Sequence, residues 1–248
     1  MNILLNGASG RMGNEVANCI RTQSDLKVVC GFDREERKEG EFPIYNKLED
    51  IKENIDVIID FSVPKATFEI LKYAKKNRVP IVIATTGFNE DALKQIEELS
   101  KEIAIFKSSN MSLEINLMTS LVQKVAEVLK ESDIEIIETH HNRKIDSPSG
   151  TAILLANAIN EVFEGEKEYN FGRMSKREKR DKKEIGFSSI RGGNVVGEHT
   201  VQFFSENETL EITHKSYSRQ VFAEGAIKAA KFIIGKQEGL YDMKDLVK

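Results

Sequence analysis

The chain has 248 residues, enough to bury a full core as one large or two modest domains. It is 40% hydrophobic and 31% charged, and its net charge of −4 gives no basic excess that would point to nucleic acid or a membrane surface. No apolar run approaches the ~18 residues of a membrane span, and the N-terminus opens on a strand-like run rather than a basic, hydrophobic leader. A cytoplasmic protein is expected, with Cys19 and Cys30 as reduced core thiols.

Residues 2–6 read as a short buried strand, followed by Gly7-Ala8-Ser9-Gly10-Arg11-Met12-Gly13 and a helix over 14–23 with Val16, Ala17 and Ile20 on one face. The glycine spacing is G-x-x-G-x-x-G rather than G-x-G-x-x-G. The physics is the same: a tight turn lets the backbone approach a pyrophosphate, and the helix start offers free N–H groups and a positive dipole. The plainer alternative is a strand-to-helix turn with packing glycines. The strand before it and the acid downstream favour a dinucleotide. A second strand, 27–32, ends at Asp33 with Arg34 beside it. An acid there can take two ribose hydroxyls and an arginine can take a 2′-phosphate, so NADH and NADPH both stay open.

Residues 34–50 are charged and read as loop. Strands over 56–61, 80–84 and 103–106 alternate with helices over 65–77 and 89–101, the latter carrying Ala92, Leu93, Ile96 and Leu99 at helical spacing. Such alternation means an α/β architecture, a parallel sheet covered on both faces. Polar residues recur at the strand ends: Asp33, Ser62, Thr85-Thr86 and Ser108-Ser109-Asn110. Alone they are ordinary turn chemistry. At the carboxyl ends of parallel strands they become candidates for the nicotinamide amide and ribose.

The pattern changes after about residue 112. A long helix over 113–130, a strand over 134–139 and a helix over 150–163 precede a charge-rich stretch, 164–184. Within it the run 176–183 reads as a solvated loop, with a flap over the substrate as the sharper alternative. Strand-like runs over 185–191, 195–204 and 208–215 read as an antiparallel meander, and a helix over 219–235 as a return to the first domain. The second domain is therefore expected to be a smaller α+β unit.

Glu138-Thr139-His140-His141-Asn142-Arg143-Lys144 leads into Asp146-Ser147-Pro148-Ser149-Gly150-Thr151, and holds two of the chain's four histidines. Cations this dense suit an anion. His141, Lys144, Ser149, the Gly150 and Thr151 amides and the helix dipole can jointly hold carboxylate. A histidine beside a lysine is a reasonable acid. A surface loop whose histidines cap something is the plainer alternative. Adjacent histidines at a strand end point to opposite faces, so no metal is expected from this pair. His199 and His214 read as structural or interface histidines.

The stretches ILLNGASGRMG, IIDFSVP, TTGF, SSNMS, IEIIETHHNRKIDSPSGTA, RGGNVVGEHTV, EITHKSYSR and FAEGA together resemble the 4-hydroxy-tetrahydrodipicolinate reductase family of bacterial lysine biosynthesis, nearly end to end. The resemblance implies a Rossmann-type dinucleotide-binding domain from 1–111 and 218–248, with a substrate-binding and oligomerisation domain, 112–217, between them. It implies hydride transfer from NADPH or NADH to C4 of a cyclic imine dicarboxylate with loss of water, in a homotetramer. Carried over by position, His140 is a proton donor and acceptor and Lys144 a proton donor, while His141, Ser149, Gly150 and Thr151 hold the substrate. The cofactor would contact Gly7, Ala8, Ser9, Gly10, Arg11, Met12, Asp33, Arg34, Ala84, Thr85, Thr86, Ser108, Ser109, Asn110 and Met111. The rival readings are a catalytically idle dinucleotide sensor or scaffold, and another small imine or amino-acid dehydrogenase.

Overall fold

The computed structural model describes residues 1–173 and 177–247, so Lys176, the first residue of the charge run, lies outside the described residues. The chain divides into two compact units, Met1–Leu113 with Arg219–Lys248, and Glu114–Ser218.

The first unit opens with β1 (Asn2–Asn6), α1 (Arg11–Arg21), β2 (Lys27–Phe32), β3 (Ile44–Tyr45), β4 (Val57–Asp60), α2 (Pro64–Asn77), β5 (Ile81–Ile83), α3 (Glu90–Ser100) and β6 (Ala104–Lys107). Then α4 (Leu113–Val128), β7 (Asp133–His140), α5 (Gly150–Val162), β8 (Glu168–Asn170), β9 (Glu184–Arg191), β10 (Gly197–Phe204) and β11 (Thr209–Ser216) lead through the second unit. The chain returns with α6 (Gln220–Ile233), β12 (Gly239–Tyr241) and α7 (Met243–Val247).

In the first unit seven strands run in the order β12-β6-β5-β4-β1-β2-β3, and every pairing is parallel. Alternation along each strand sends Ile3, Leu5, Val57, Ile59 and Val82 into one core with Val16 of α1 and Ala223, Ala226, Ala230 and Ile233 of α6. Leu4, Ile58, Ile81, Ile83 and Ile105 go to the other face, against Ile70, Leu71 and Ala74 of α2 and Ile96 of α3. The sheet is thus the expected doubly covered parallel sheet. In this unit two short strands are added to the sequence expectation: β3, inside the stretch read as loop, and β12 after the last long helix. The helix expected from residue 14 starts at Arg11, because Gly10 caps it directly and its carbonyl accepts the Asn14 N–H at 3.0 Å.

The second unit has five strands in the order β11-β10-β7-β9-β8. This corrects the expected meander. β10 and β11 form an antiparallel pair, but β9 does not pair with β10; β7 lies between them, parallel to β9 and antiparallel to β10. The residues joining β9 to β10 pass over the end of β7. Gly192 N–H donates to the His140 carbonyl at 2.9 Å, and His141 N–H donates to the Val195 carbonyl at 2.7 Å. One sheet face packs Ile134, Ile136, Ile185, Val201 and Phe203 on Met118 and Val122 of α4 and Leu155 and Ile159 of α5. The other face, with Ile137, Thr139, Thr200, Gln202 and Thr213, is half-exposed or exposed.

Candidate active site

In the first unit the glycine turn joins β1 to α1. Gly7 has φ +79, and a Cβ on it would overlap the Phe61 carbonyl. A Cβ on Gly13 would overlap the Gly7 carbonyl and stand 2.8 Å from the Ala8 Cα. Only glycine lets turn, helix and strand end pack this closely. α1 has no side-chain cap and no acid in its first turn, which leaves the helix start suited to an anion. Asp33 is tied into the same turn: one carboxylate oxygen accepts the Ser9 N–H at 2.8 Å and the other accepts the Arg34 N–H at 2.8 Å.

A cavity of about 490 Å³ is bounded by Asn6, Gly7, Ser9, Gly10, Asp33, Arg34, Ser62, Val63 and Glu69, among others. Five of the expected cofactor residues (Gly7, Ser9, Gly10, Asp33 and Arg34) meet there, whereas Ala84 to Thr86 and Ser108 to Met111 are not in its wall. Arg11 is exposed, Met12 half-buried, and Ala8 and Met111 buried in the core. Thr85 is buried with its hydroxyl facing inward, where Oγ1 accepts the Ser62 N–H at 2.9 Å. Thr86 and Ser109 are exposed, and Ala84 is half-buried. The Ser108 hydroxyl donates to the Asn110 carbonyl at 2.7 Å, folding that loop on itself.

Below the cavity lies a carboxylate that the sequence reading passed over. Asp60, at the end of β4, is fully buried and accepts hydrogen bonds from Asn6 Nδ2 at 2.8 Å, Ser62 Oγ at 2.5 Å and Thr67 Oγ1 at 2.6 Å. Burial raises its carboxyl above the ordinary range, against the donors Ser62, Thr67, Thr85 and Asn6, which pull it down. It joins the ends of β1, β4 and β5, and two of its partners, Asn6 and Ser62, line the cavity.

In the second unit β7 delivers Glu138 and His140 to the same buried face, since residues two apart in a strand point the same way. His140 Nδ1 lies 2.5 Å from Glu138 Oε2. Arg191, at the end of β9, forks onto both carboxylate oxygens, with Nη1 to Oε2 at 2.8 Å and Nη2 to Oε1 at 2.6 Å. Ser149 N–H donates to Glu138 Oε1 at 3.2 Å. Burial pushes the Glu138 carboxyl up, but hydrogen bonds from Arg191, Ser189 and His140 outweigh it and hold it at about 2. Burial lowers His140 below the ordinary histidine value, with Glu138 opposing.

Ser149 caps α5, its hydroxyl accepting the Ala152 N–H at 3.2 Å. The same hydroxyl meets His199 Nε2 at 2.9 Å, and the His199 ring stands edge-on to His140 with centroids 5.1 Å apart. Burial and then the His140 ring push His199 down to about 3, so it is neutral near pH 7. Lys144 is largely buried and donates to Asp146 Oδ1 at 2.8 Å. Gly150 is exposed, while His141 and Thr151 are half-buried. The structure thus gathers His140, Lys144 and the Ser149–Thr151 helix start in one unit, and adds Glu138, Arg191 and His199. Among the described residues no group of three or more His, Cys, Asp or Glu is placed to hold a metal ion. Among the same residues no helix is long and apolar enough to cross a membrane.

Two family profiles together match almost the whole chain: "Dihydrodipicolinate reductase, N-terminus" over residues 1–111 and "Dihydrodipicolinate reductase, C-terminus" over residues 114–247. A 4-hydroxy-tetrahydrodipicolinate reductase of Caldanaerobacter subterraneus subsp. tengcongensis is 49% identical over 246 residues, covering 99% of this chain and 98% of that one. One from Clostridium novyi is 42% identical over 247 residues, covering 99% and 98%. Among solved structures, a dipicolinate-bound dihydrodipicolinate reductase from Paenisporosarcina sp. TG-14 superposes with TM-score 0.81 at 26% identity, covering 98% of this chain and 97% of that one.

Proposed function

The chain belongs to the dihydrodipicolinate reductase family, and from that premise we propose which of its residues carry the reaction. It is an NAD(P)H-dependent oxidoreductase acting on 4-hydroxy-tetrahydrodipicolinate in lysine and diaminopimelate biosynthesis. In our reading, hydride goes to C4 of the cyclic imine dicarboxylate and water is lost. When bound, NAD(P)H supplies that hydride. Gly7, Gly10 and the start of α1 hold the pyrophosphate, with Ala8, Ser9, Arg11 and Met12 completing the turn. Asp33 takes the ribose hydroxyls and Arg34 a 2′-phosphate where there is one, so the cofactor is NADPH or NADH. Ala84 to Thr86 and Ser108 to Met111 receive the nicotinamide end.

The observation that carries the chemistry is the cluster of His140, Lys144 and the Ser149-capped helix start. A dicarboxylate needs donors and positive charge; His141, Ser149, Gly150 and Thr151 supply the donors, and Lys144 and the α5 dipole the charge. The dipicolinate bound to the Paenisporosarcina relative is a ligand of that class. Hydride arrival leaves an enamine-like anion, and the Lys144 ammonium gives it a proton, ending as a neutral amine that solvent recharges; His140 takes part in that proton transfer. The polar face of β7, β10 and β11 is the surface on which we place assembly of a homotetramer, and the cytoplasm is the compartment we assign.

The test couples the purified chain to the synthase that makes its substrate and follows loss of reduced-nicotinamide absorbance. Oxidation with neither NADH nor NADPH would defeat the reading. Lys144→Ala should lower kcat by about 100-fold or more while reduced-nicotinamide affinity stays within about twofold. Lost cofactor binding would show that Lys144 belongs to a different site.

A further inference from the structure

Glu138 has no part in the reading above, yet a charge 1% exposed must be held for a reason. Its carboxylate meets His140 Nδ1, the Arg191 fork and the Ser149 amide. An ionised carboxylate only accepts hydrogen bonds, so the ring nitrogen 2.5 Å from it carries a hydrogen. The opposite nitrogen, Nε2, passes Gly197, where a Cβ would stand 3.1 Å away. Glycine at 197 keeps that edge of the ring clear.

We propose that Glu138 is a positioning residue: it locks His140 in the Nδ1–H tautomer with a bare Nε2, and ties that ring to the amide that opens α5. Arg191 keeps Glu138 ionised, and so keeps the lock. This deepens the reading of His140 as a proton-transfer residue and rests on it. Resting His140 then has a lone pair, not a proton, on Nε2. It must take a proton before it gives one, and Lys144 is the group that enters the reaction with a proton to give. The charged and titratable groups around the ring are Glu138 on its own strand, Arg191 on β9, His199 on β10, His214 opposite His199 on β11, and Lys144 and Asp146 on the loop. Of these Glu138 and Asp146 are the anions, and Asp146 is engaged by Lys144.

The first experiment is nitrogen NMR of the full chain labelled on histidine, with His140 assigned by its loss in His140→Gln. The expected pattern is a protonated Nδ1 and a pyridine-like Nε2; a hydrogen on Nε2 in the resting protein would overturn the proposal. The second is the pH profile of kcat in Glu138→Gln. Without the anion the imidazolium is less favoured, so the acid limb should move to lower pH by about one unit or more. kcat should fall at least about tenfold and reduced-nicotinamide affinity should hold. A fall in kcat with an unmoved limb would make Glu138 merely structural and defeat the proposal. Should Glu138→Gln not fold, the tautomer measurement on the native chain decides alone. If His140→Gln keeps full activity, the catalytic reading of His140 fails instead, and the NMR result still judges Glu138.

Discussion

Glu138 holds its proton less tightly in the folded chain, at about 2, than at its ordinary value of 4.5. A group whose acidity rises on folding stabilises the native state above the unfolded value and stops doing so as pH falls through the folded one. Its contribution should therefore be complete above pH 4.5 and fade towards pH 2. The urea midpoint of the native chain should exceed that of Glu138→Gln near neutral pH, and the gap should narrow steadily below about pH 4.5. A constant gap would mean the native carboxyl titrates normally. Part of this was legible in the sequence. Ile134, Ile136, Glu138 and His140 alternate onto one face, and a glutamate in such a row demands a partner. The partner was not legible, because Arg191 stands 53 residues further on and reaches Glu138 only through the pairing of β7 with β9.

At the scale of elements, the long apolar strands and periodic helices of the first unit follow from sequence pattern, whereas β3 and β12 have only two and three residues and leave no period to read. The misread meander has a different cause. Two adjacent strand-like runs joined through Gly192-Gly193-Asn194 look like neighbours, and nothing local says that an earlier strand occupies the space between them. Asp60 belongs here too, since one side chain clamps the ends of three strands. Asp60→Ala would leave Asn6, Ser62 and Thr67 facing a void without their acceptor. It should cost at least about 2 kcal/mol of stability, read from the urea midpoint, and weaken reduced-nicotinamide binding in a fluorescence titration. Unchanged affinity would detach this clamp from the cavity above it.

For the whole molecule, the first unit is built from two separate stretches of chain and the second from one. α6 brings Ala223, Ala226, Ala229, Ala230 and Ile233, all buried, to a core that the N-terminal strands share. The second unit has its own core from α4, α5 and the five-stranded sheet. A chain ending at Ser218 should keep native hydrogen-exchange protection from β7 to β11 and lose most of it in β1 to β6. Full protection of β1 to β6 in that truncation would show that α6 is dispensable.

The split first unit also orders events in time. As the chain leaves a ribosome, β7 to β11 emerge before α6 does, so the second unit can complete itself while the first still lacks one wall. A nascent chain can therefore assemble its histidine cluster before it can close the core behind its glycine turn. Through that interval the face of β1 to β6 that α6 will share with α1 stays partly open, the kind of apolar surface that holding chaperones cover.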